Sequence, residues 1–387
     1  MLSSCLPSLA PTAARLSAIV ASLSTIASSS NAMQLSSSSA VDLLILGSGW
    51  TGAFLVPHLQ SHHRDISFAT TTRDGRDGSI KWAFDPDLDG PEQFAALPRA
   101  KTVLIVFPIK GEGGSRRLVR GYEEAIGARA RWIQLGSTGI FDGGPTLAAL
   151  RVQATSSSSA ESEKASSIPS DLSSPPPLEW TTRHSPYDKT NARAIAEDEL
   201  LSQHEETVVL NLSGLWGGSR DPINWLARVA PSEEALEQKG SLHLIHGIDV
   251  ARAVIAVHLT KTLPTSGPGS SAAITEGDPD KTEIEMAGKT ERKATTGQRW
   301  VLTDLHLVDW WDLASAHPNA PSPSSSRSSP SEKSPDRALW VRNLMRKHNV
   351  RALPRSAAEL GRAIDAREFW DAFGLAPIKA RWEKGRA

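Results

Sequence analysis

The sequence is poor in several residue types. A single cysteine, Cys5, stands in 387 residues, which excludes an internal disulfide and a thiolate metal cluster and fits a reducing compartment. Tyrosine is almost as scarce, with only Tyr122 and Tyr187, so any reaction needing a phenol has two candidates. Charge nearly cancels, at a net -1, which argues against a nucleic-acid partner. No apolar run is long enough to span a bilayer; the longest, residues 16–27, falls well short of the required length. No membrane association and no metal site are therefore expected.

Residues 1–40 are rich in Ser, Ala and Leu, with Arg15 as their only charge, and read as a disordered leader or transit peptide. This predicts a cytoplasmic or mitochondrial location, and Met33 as an alternative start would favour the cytoplasm. Residues 153–177, 265–298 and 316–335 are dominated by Ser, Pro, Gly and charge, too apolar-poor to offset the entropy of ordering. They are expected to be disordered insertions and a linker within one domain spanning residues 41–313, followed by a helical segment over 336–387.

What remains alternates in type. Short apolar runs at 41–47, 65–73, 101–108, 131–137 and 207–217 have the length and composition of buried parallel strands. A weaker strand is expected in "IKWAFDP". Helices are expected over 51–62, 91–99, 115–128 and 186–204. Such alternation predicts an α/β fold, a doubly wound parallel sheet of Rossmann type. The later pieces "NWLARVA", "GIDVARAVIAVHL" and "QRWVLTD" are expected to form a small C-terminal cap over the substrate.

"LILGSGWTG" places Gly47, Gly49 and Gly52 in G-x-G-x-x-G spacing between a strand and a helix. Glycines there let the chain turn sharply and let its backbone approach a pyrophosphate, which the helix N-terminus stabilises. The intervening Ser48, Trp50 and Thr51 are expected at the same site, with Phe107 and Pro108 from the end of the fourth strand. The second strand ends in "TTTRDGR" rather than in a carboxylate. Thr72, Arg73 and Arg76 are therefore expected to hold a 2'-phosphate, making NADP the expected cofactor ahead of NAD. Asp85 is expected near the adenine, or else as a turn residue.

With "LGSTGIF", "NARAIAEDELL" and "NLSGLWGGSRDPINWLARV…IHGIDVARAVIAVHL" added, the sequence resembles the short-chain dehydrogenase/reductase superfamily, in its extended or atypical epimerase-like branch. The resemblance implies that Ser137 orients a substrate carbonyl or alcohol and that Tyr187 handles the proton. It also implies a lysine four residues after the tyrosine, and here Asn191 stands in its place. "SPYD" suggests that Ser185 caps a helix carrying Tyr187 and Asn191 on one face. A free phenol has a pKa of about 10, so only about one in a thousand is ionised at pH 7; neutral Asn191 cannot lower that. His184 is a possible base or a loop residue. Trp216 and Arg220 are candidates for contact with the nicotinamide end or an anionic substrate, or else for a packed tryptophan and a solvated arginine. His246 and Asp249 match a stretch whose role in the superfamily is structural.

The expectation is thus an NADP(H)-binding oxidoreductase or epimerase acting on a small carbonyl or sugar-like substrate, with homodimerisation implied by the resemblance. The alternative is a non-catalytic cofactor-binding sensor or scaffold. An epimerase or dehydratase with tightly held NAD is a third reading, and the arginines weigh against it.

Overall fold

The apolar runs assemble into one sheet. This computed structural model describes residues 40–142, 180–261, 297–318 and 336–380; the leader and most of the expected insertions lie outside them. Seven strands form the sheet: β1 (Val41–Leu46), β2 (Phe68–Thr72), β3 (Ile80–Lys81), β4 (Ala100–Ile105), β5 (Arg131–Ser137), β6 (Val208–Leu212) and β7 (Gln298–Leu302). Their order is β7-β6-β5-β4-β1-β2-β3, and every pair is parallel. Leu43, Leu44, Ile45 and Leu46 are all fully buried, because a parallel sheet is covered on both faces and its strands need no alternation. Register places Leu44 beside Val103, Leu104 beside Ile133 and Leu135 beside Leu210.

Helices α1 (Gly49–His62), α2 (Gly114–Ile126), α3 (Ala192–Leu201) and α4 (Gly247–Leu259) flank the sheet, α1 against α4 and α2 against α3. Chain order runs outward from β1 in both directions. The switch point therefore falls at the carboxyl ends of β1 and β4, where such folds open a crevice.

Three expectations change. The residues expected as a helix over 91–99 form only a single tight turn, Glu92–Phe94. Pro91 and Pro98 bracket it, and the Gln93 side chain is drawn into the preceding loop, donating to Leu88 O at 2.9 Å. "GIDVARAVIAVHL" becomes α4 in the main helical layer, with Val250, Val254 and Val257 fully buried. "QRWVL" becomes β7, extending the main sheet beside β6. Both are apolar on too many sides for a peripheral cap.

A satellite core does form after β6. It gathers Leu226, Leu236, Trp310, Trp311, Val341 and Leu344 from short helices together with α5 (Trp310–Ala316) and α6 (Arg337–Lys347). Arg355 anchors it, paired with Asp309 at 2.6 Å and stacked 3.8 Å from the Trp311 ring.

The C-terminal stretch then runs back past the carboxyl ends of β5 and β7. Arg362 donates to Thr138 O at 3.2 Å and pairs with Asp142. Ile364 N donates to His243 Nε2 at 3.1 Å, and burial brings that imidazole down to about 4, so it stays a neutral acceptor. Helix α7 (Arg367–Ala372) follows, and its Trp370 donates to Thr303 O at 3.0 Å. Finally, Ile378 N and Lys379 N donate to the buried Asp249 at 2.9 and 3.0 Å.

Asp304, just beyond β7, is 1% exposed; its Oδ1 accepts from His306 N, while Oδ2 has no hydrogen-bond partner among the described residues. Burial, with the charge of Asp249 added, pushes this carboxyl up to about 8. A raised folded-state value stabilises the fold below the unfolded pKa of about 3.9, and that stabilisation is lost as pH rises through about 8. Asp304→Asn should therefore flatten stability against pH between those limits and exceed the native protein at the alkaline end. Urea midpoints at several pH values measure this, and two parallel curves would sink it.

Candidate functional site

At the switch point the chain leaves β1 through Gly47, whose φ is +78°, a left-handed conformation that favours glycine. Gly47 N donates to Thr71 Oγ1 at 2.8 Å and Ser48 N to Thr71 O at 2.9 Å, tying the loop to β2. A Cβ on Gly47 would stand 2.9 Å from the Phe107 ring, and one on Gly52 would collide with the Ser48 hydroxyl. Gly49 differs: it is exposed, and a Cβ there would meet nothing within 4 Å. Ser48 makes no side-chain capping bond and α1 has no acid in its first turn. The open side of Gly49 therefore faces a helix N-terminus without side-chain capping, the arrangement that receives a phosphate. Thr51 is buried behind it.

At the end of β2 the hydroxyl of Thr72 is already engaged, lying 2.6 Å from Ser79 Oγ and accepting from Gly75 N at 2.9 Å. Arg73 is exposed. Arg76 pairs with Asp74 at 3.2 Å and lies 3.9 Å from Asp77. The Thr72 hydroxyl, with help from Arg76, holds the Asp74 carboxyl below its ordinary range. The charge offered at this strand end is thus balanced by carboxylates that would repel a 2'-phosphate. Asp85 is exposed and accepts from Asp87 N at 2.9 Å, the turn role among its two expected ones. Between these points lies an aromatic wall that sequence reading missed: Phe84 and Phe107 stack at 6.1 Å with Trp82 at 6.3 Å from Phe107, while Pro108 is exposed beside them. Its only sequence signal was the alternation of aromatics in "WAF".

The hydroxyl side is built differently from expectation. Ser137 ends β5, and its Oγ accepts from Gly139 N at 3.1 Å, capping the turn Thr138–Phe141. Helix α3 begins only at Ala192, with Asn191 as its N-cap accepting from Arg193 N at 3.0 Å. Tyr187 therefore lies in the preceding loop, not on the helix, and does not share a helical face with Asn191. The reason is local: Asp188 accepts from Thr190 N and Oγ1 at 2.8 and 2.6 Å, forming a side-chain turn that competes with helix, while Ser185 accepts from Thr182 N at 2.9 Å.

That loop is nonetheless docked on the turn after Ser137, through Asp188 N to Ile140 O at 2.9 Å and the Tyr187 ring edge-on to Phe141 at 5.8 Å. The Tyr187 hydroxyl donates to Asp198 at 2.7 Å. Burial first, and then that bond, raise its pKa, so it remains a phenol at neutral pH. Asp198 also accepts from Arg299 at 2.8 Å; Arg299 in turn pairs with the fully buried Glu197 and donates to Asn211 at 2.9 Å. This buried network was missed because its members come from α3, β6 and β7, far apart in sequence. His184 is exposed and lies 3.0 Å from Glu368.

Opposite the glycine loop, Trp216 is buried with its ring 4.5 Å from His246, whose Nδ1 caps α4 by accepting from Ile248 N at 3.1 Å. The Trp50 indole donates to Gly217 O at 3.0 Å, and Arg220 lies 4.6 Å over the Trp50 ring. Of the expected site residues, the structure thus gathers the glycine loop, Phe107 and Trp50 at one opening. It sets Ser137 and Tyr187 at the ends of neighbouring segments and turns the Asn191 side chain onto its own helix. Among the described residues, no group of three or more His, Cys, Asp or Glu could hold a metal ion, and no helix is long and apolar enough to cross a membrane.

No family model and no curated protein matches the sequence. Among solved structures the chain is similar to a protein described as an NAD-dependent epimerase/dehydratase from Methylobacillus flagellatus, at 15% identity over 89% of this chain and 95% of that one, TM-score 0.47. It is also similar to MoeE5 in complex with UDP-glucose and NAD, at 13% identity over 89% and 94%, TM-score 0.41. A third is the dTDP-glucose 4,6-dehydratase of Bacillus anthracis in complex with NAD, at 10% identity over 87% and 92%, TM-score 0.44. These likenesses to the epimerase/dehydratase fold are distant, and the Rossmann assignment rests on the strand order above. The expectation of NADP is corrected here, because Asp74 and Asp77 flank Arg76 where the phosphate was expected to bind; MoeE5 and the dehydratase are each described in complex with NAD.

Proposed function

We propose that this chain binds NAD(H) and acts as an oxidoreductase or epimerase on a small carbonyl or sugar-like substrate. The observation that carries the reading is Gly49, open and left-handed at the uncapped start of α1, at the point where strand order reverses. Gly47, Gly49 and Gly52 with Ser48 and the first turn of α1 hold the pyrophosphate, Phe84 and Phe107 receive the adenine, and Asp74 accepts from the ribose hydroxyls. When bound, the nicotinamide supplies a hydride acceptor and donor. Ser137, at the crevice end of β5, orients the substrate oxygen. Tyr187, held as a phenol without a neighbouring lysine, is set to give a proton, which favours reduction of a carbonyl over epimerisation.

A second reading has its own support. Tyr187 spends its proton on Asp198 and Asn191 spends its side chain on the α3 cap, as they would in a non-catalytic NAD-binding sensor or scaffold. A panel of small carbonyls and nucleotide sugars, assayed with NADH by loss of its near-ultraviolet absorbance, separates the two. The enzyme reading expects turnover that falls roughly tenfold to a hundredfold in Tyr187→Phe. NADH binding without turnover on any member of the panel would favour the sensor.

A further inference from the structure

Arg220 is exposed and, among the described residues, is a cation without an anion. The turn that carries it is closed by paired backbone bonds, Gly217 N to Arg220 O at 2.9 Å and Arg220 N to Gly217 O at 3.1 Å, with Gly217 and Gly218 at positive φ. Its neighbour Asp221 is no partner, since that carboxylate caps the next turn by accepting from Ile223 N at 3.0 Å. No ion pair to Arg220 exists among the described residues, and burial alone pulls its guanidinium below the ordinary arginine range with no carboxylate opposing it.

The side chain is held in place even so. The Trp50 indole is fixed by its bond to Gly217 O at 3.0 Å and by edge-on contact with Phe54 at 4.9 Å. Its face carries the Arg220 guanidinium at 4.6 Å, an arrangement that orients a planar cation while leaving its hydrogen-bond donors free. Trp50 is the second residue of α1, directly after Gly49. The free guanidinium thus stands over Trp50 in the first turn of α1, directly beside the glycine loop, and is carried by the turn 217–220 that follows β6.

We propose that Arg220, seated on Trp50, binds an oxyanion of the substrate, a phosphate or carboxylate, beside the dinucleotide; this rests on the NAD(H) reading above and narrows its substrate to anionic carbonyl or sugar compounds. A guanidinium presents paired donors that match such groups, and Trp50 sets the plane in which they are offered. The clasp also couples the two loops, because an anion drawn to Arg220 holds the 217–220 turn against the helix that receives the cofactor.

The test uses the full chain, saturated with NAD+ so that the glycine loop is filled, and titrated by calorimetry with inorganic phosphate and with acetate at constant ionic strength. The clasp predicts saturable binding of at least one probe that weakens about tenfold in Arg220→Gln and in Trp50→Leu, with partial recovery in Arg220→Lys. NAD+ affinity of Arg220→Gln should stay within about twofold of the native chain. Unchanged affinity for both probes in Arg220→Gln would overturn the proposal. So would a roughly tenfold loss of NAD+ affinity without Arg220-dependent probe binding, which would assign the guanidinium to the cofactor's own pyrophosphate. Should the native chain not bind NAD+, the cofactor reading fails by itself. The probes are then titrated into Gly49→Ala, where Arg220-dependent binding upholds the anion site and its absence overturns it.

Discussion

Gly49→Ala is expected to weaken NADH binding roughly a hundredfold, about 2.7 kcal/mol, while lowering stability by only about 1–2 kcal/mol. The two effects separate because of where the Cβ would go. At Gly49 it meets no protein atom within 4 Å, so the fold bears only the strain of a side chain at φ +45°, about 1–2 kcal/mol. The same open volume is where a pyrophosphate must approach the backbone, and a methyl group there holds it away from the helix N–H groups. Gly52→Ala is the instructive contrast. Its Cβ would strike the Ser48 hydroxyl, so loop geometry, stability and binding should all suffer together. Urea unfolding paired with NADH titration of both variants distinguishes a blocked site from a damaged loop. Equal affinity for NADH in Gly49→Ala and the native protein would remove the glycine loop from the cofactor site.

Arg299→Met should destabilise the protein by about 3–5 kcal/mol. Arg299 sits in β7 with its side chain 7% exposed, between fully buried Glu197 and half-buried Asp198, and it also donates to Asn211. Removing the guanidinium leaves the Glu197 carboxylate in the interior with, among the described residues, only the bond from Asn211 at 2.8 Å. An unpaired buried carboxylate, more than the loss of attraction, sets the size of the effect. The double variant Glu197→Leu with Arg299→Met should therefore recover most of the loss, since a buried pair often exchanges for apolar side chains at little cost. Chemical unfolding of the two single variants and the double one tests this. A loss under about 1 kcal/mol in Arg299→Met, of the size seen for exposed pairs, would contradict it.

The parts of the molecule legible in the sequence are those set by local pattern. Apolar runs of strand length announced the parallel sheet, and the glycine spacing after β1 announced the tight turn into the open start of α1, because both depend on residues adjacent in the chain. Misreadings came where local signals compete. "SPYD" has the letters of a helix start, but Asp188 bends its own backbone and Asn191 is the better cap, so Tyr187 fell outside the helix. "QRWVL" follows an insertion and carries no sign of whether it extends the main sheet or caps it; its pairing with β6 is a long-range decision. The Glu197, Arg299 and Asp198 network and the Trp50 to Gly217 bond join residues about a hundred or more positions apart, beyond anything spacing could convey. "TTTRDGR" misled for a simpler reason. Two arginines imply a phosphate only when no carboxylate balances them, and Asp74 and Asp77 both lie beside Arg76.

The most direct test of the account is calorimetric titration of the full chain with NADH and, separately, NADPH. The glycine loop, the open N-terminus of α1 and the carboxylates at the end of β2 predict saturable binding of one NADH per chain, tighter than that of NADPH. A folded protein that binds neither nucleotide, or that prefers NADPH, would contradict it.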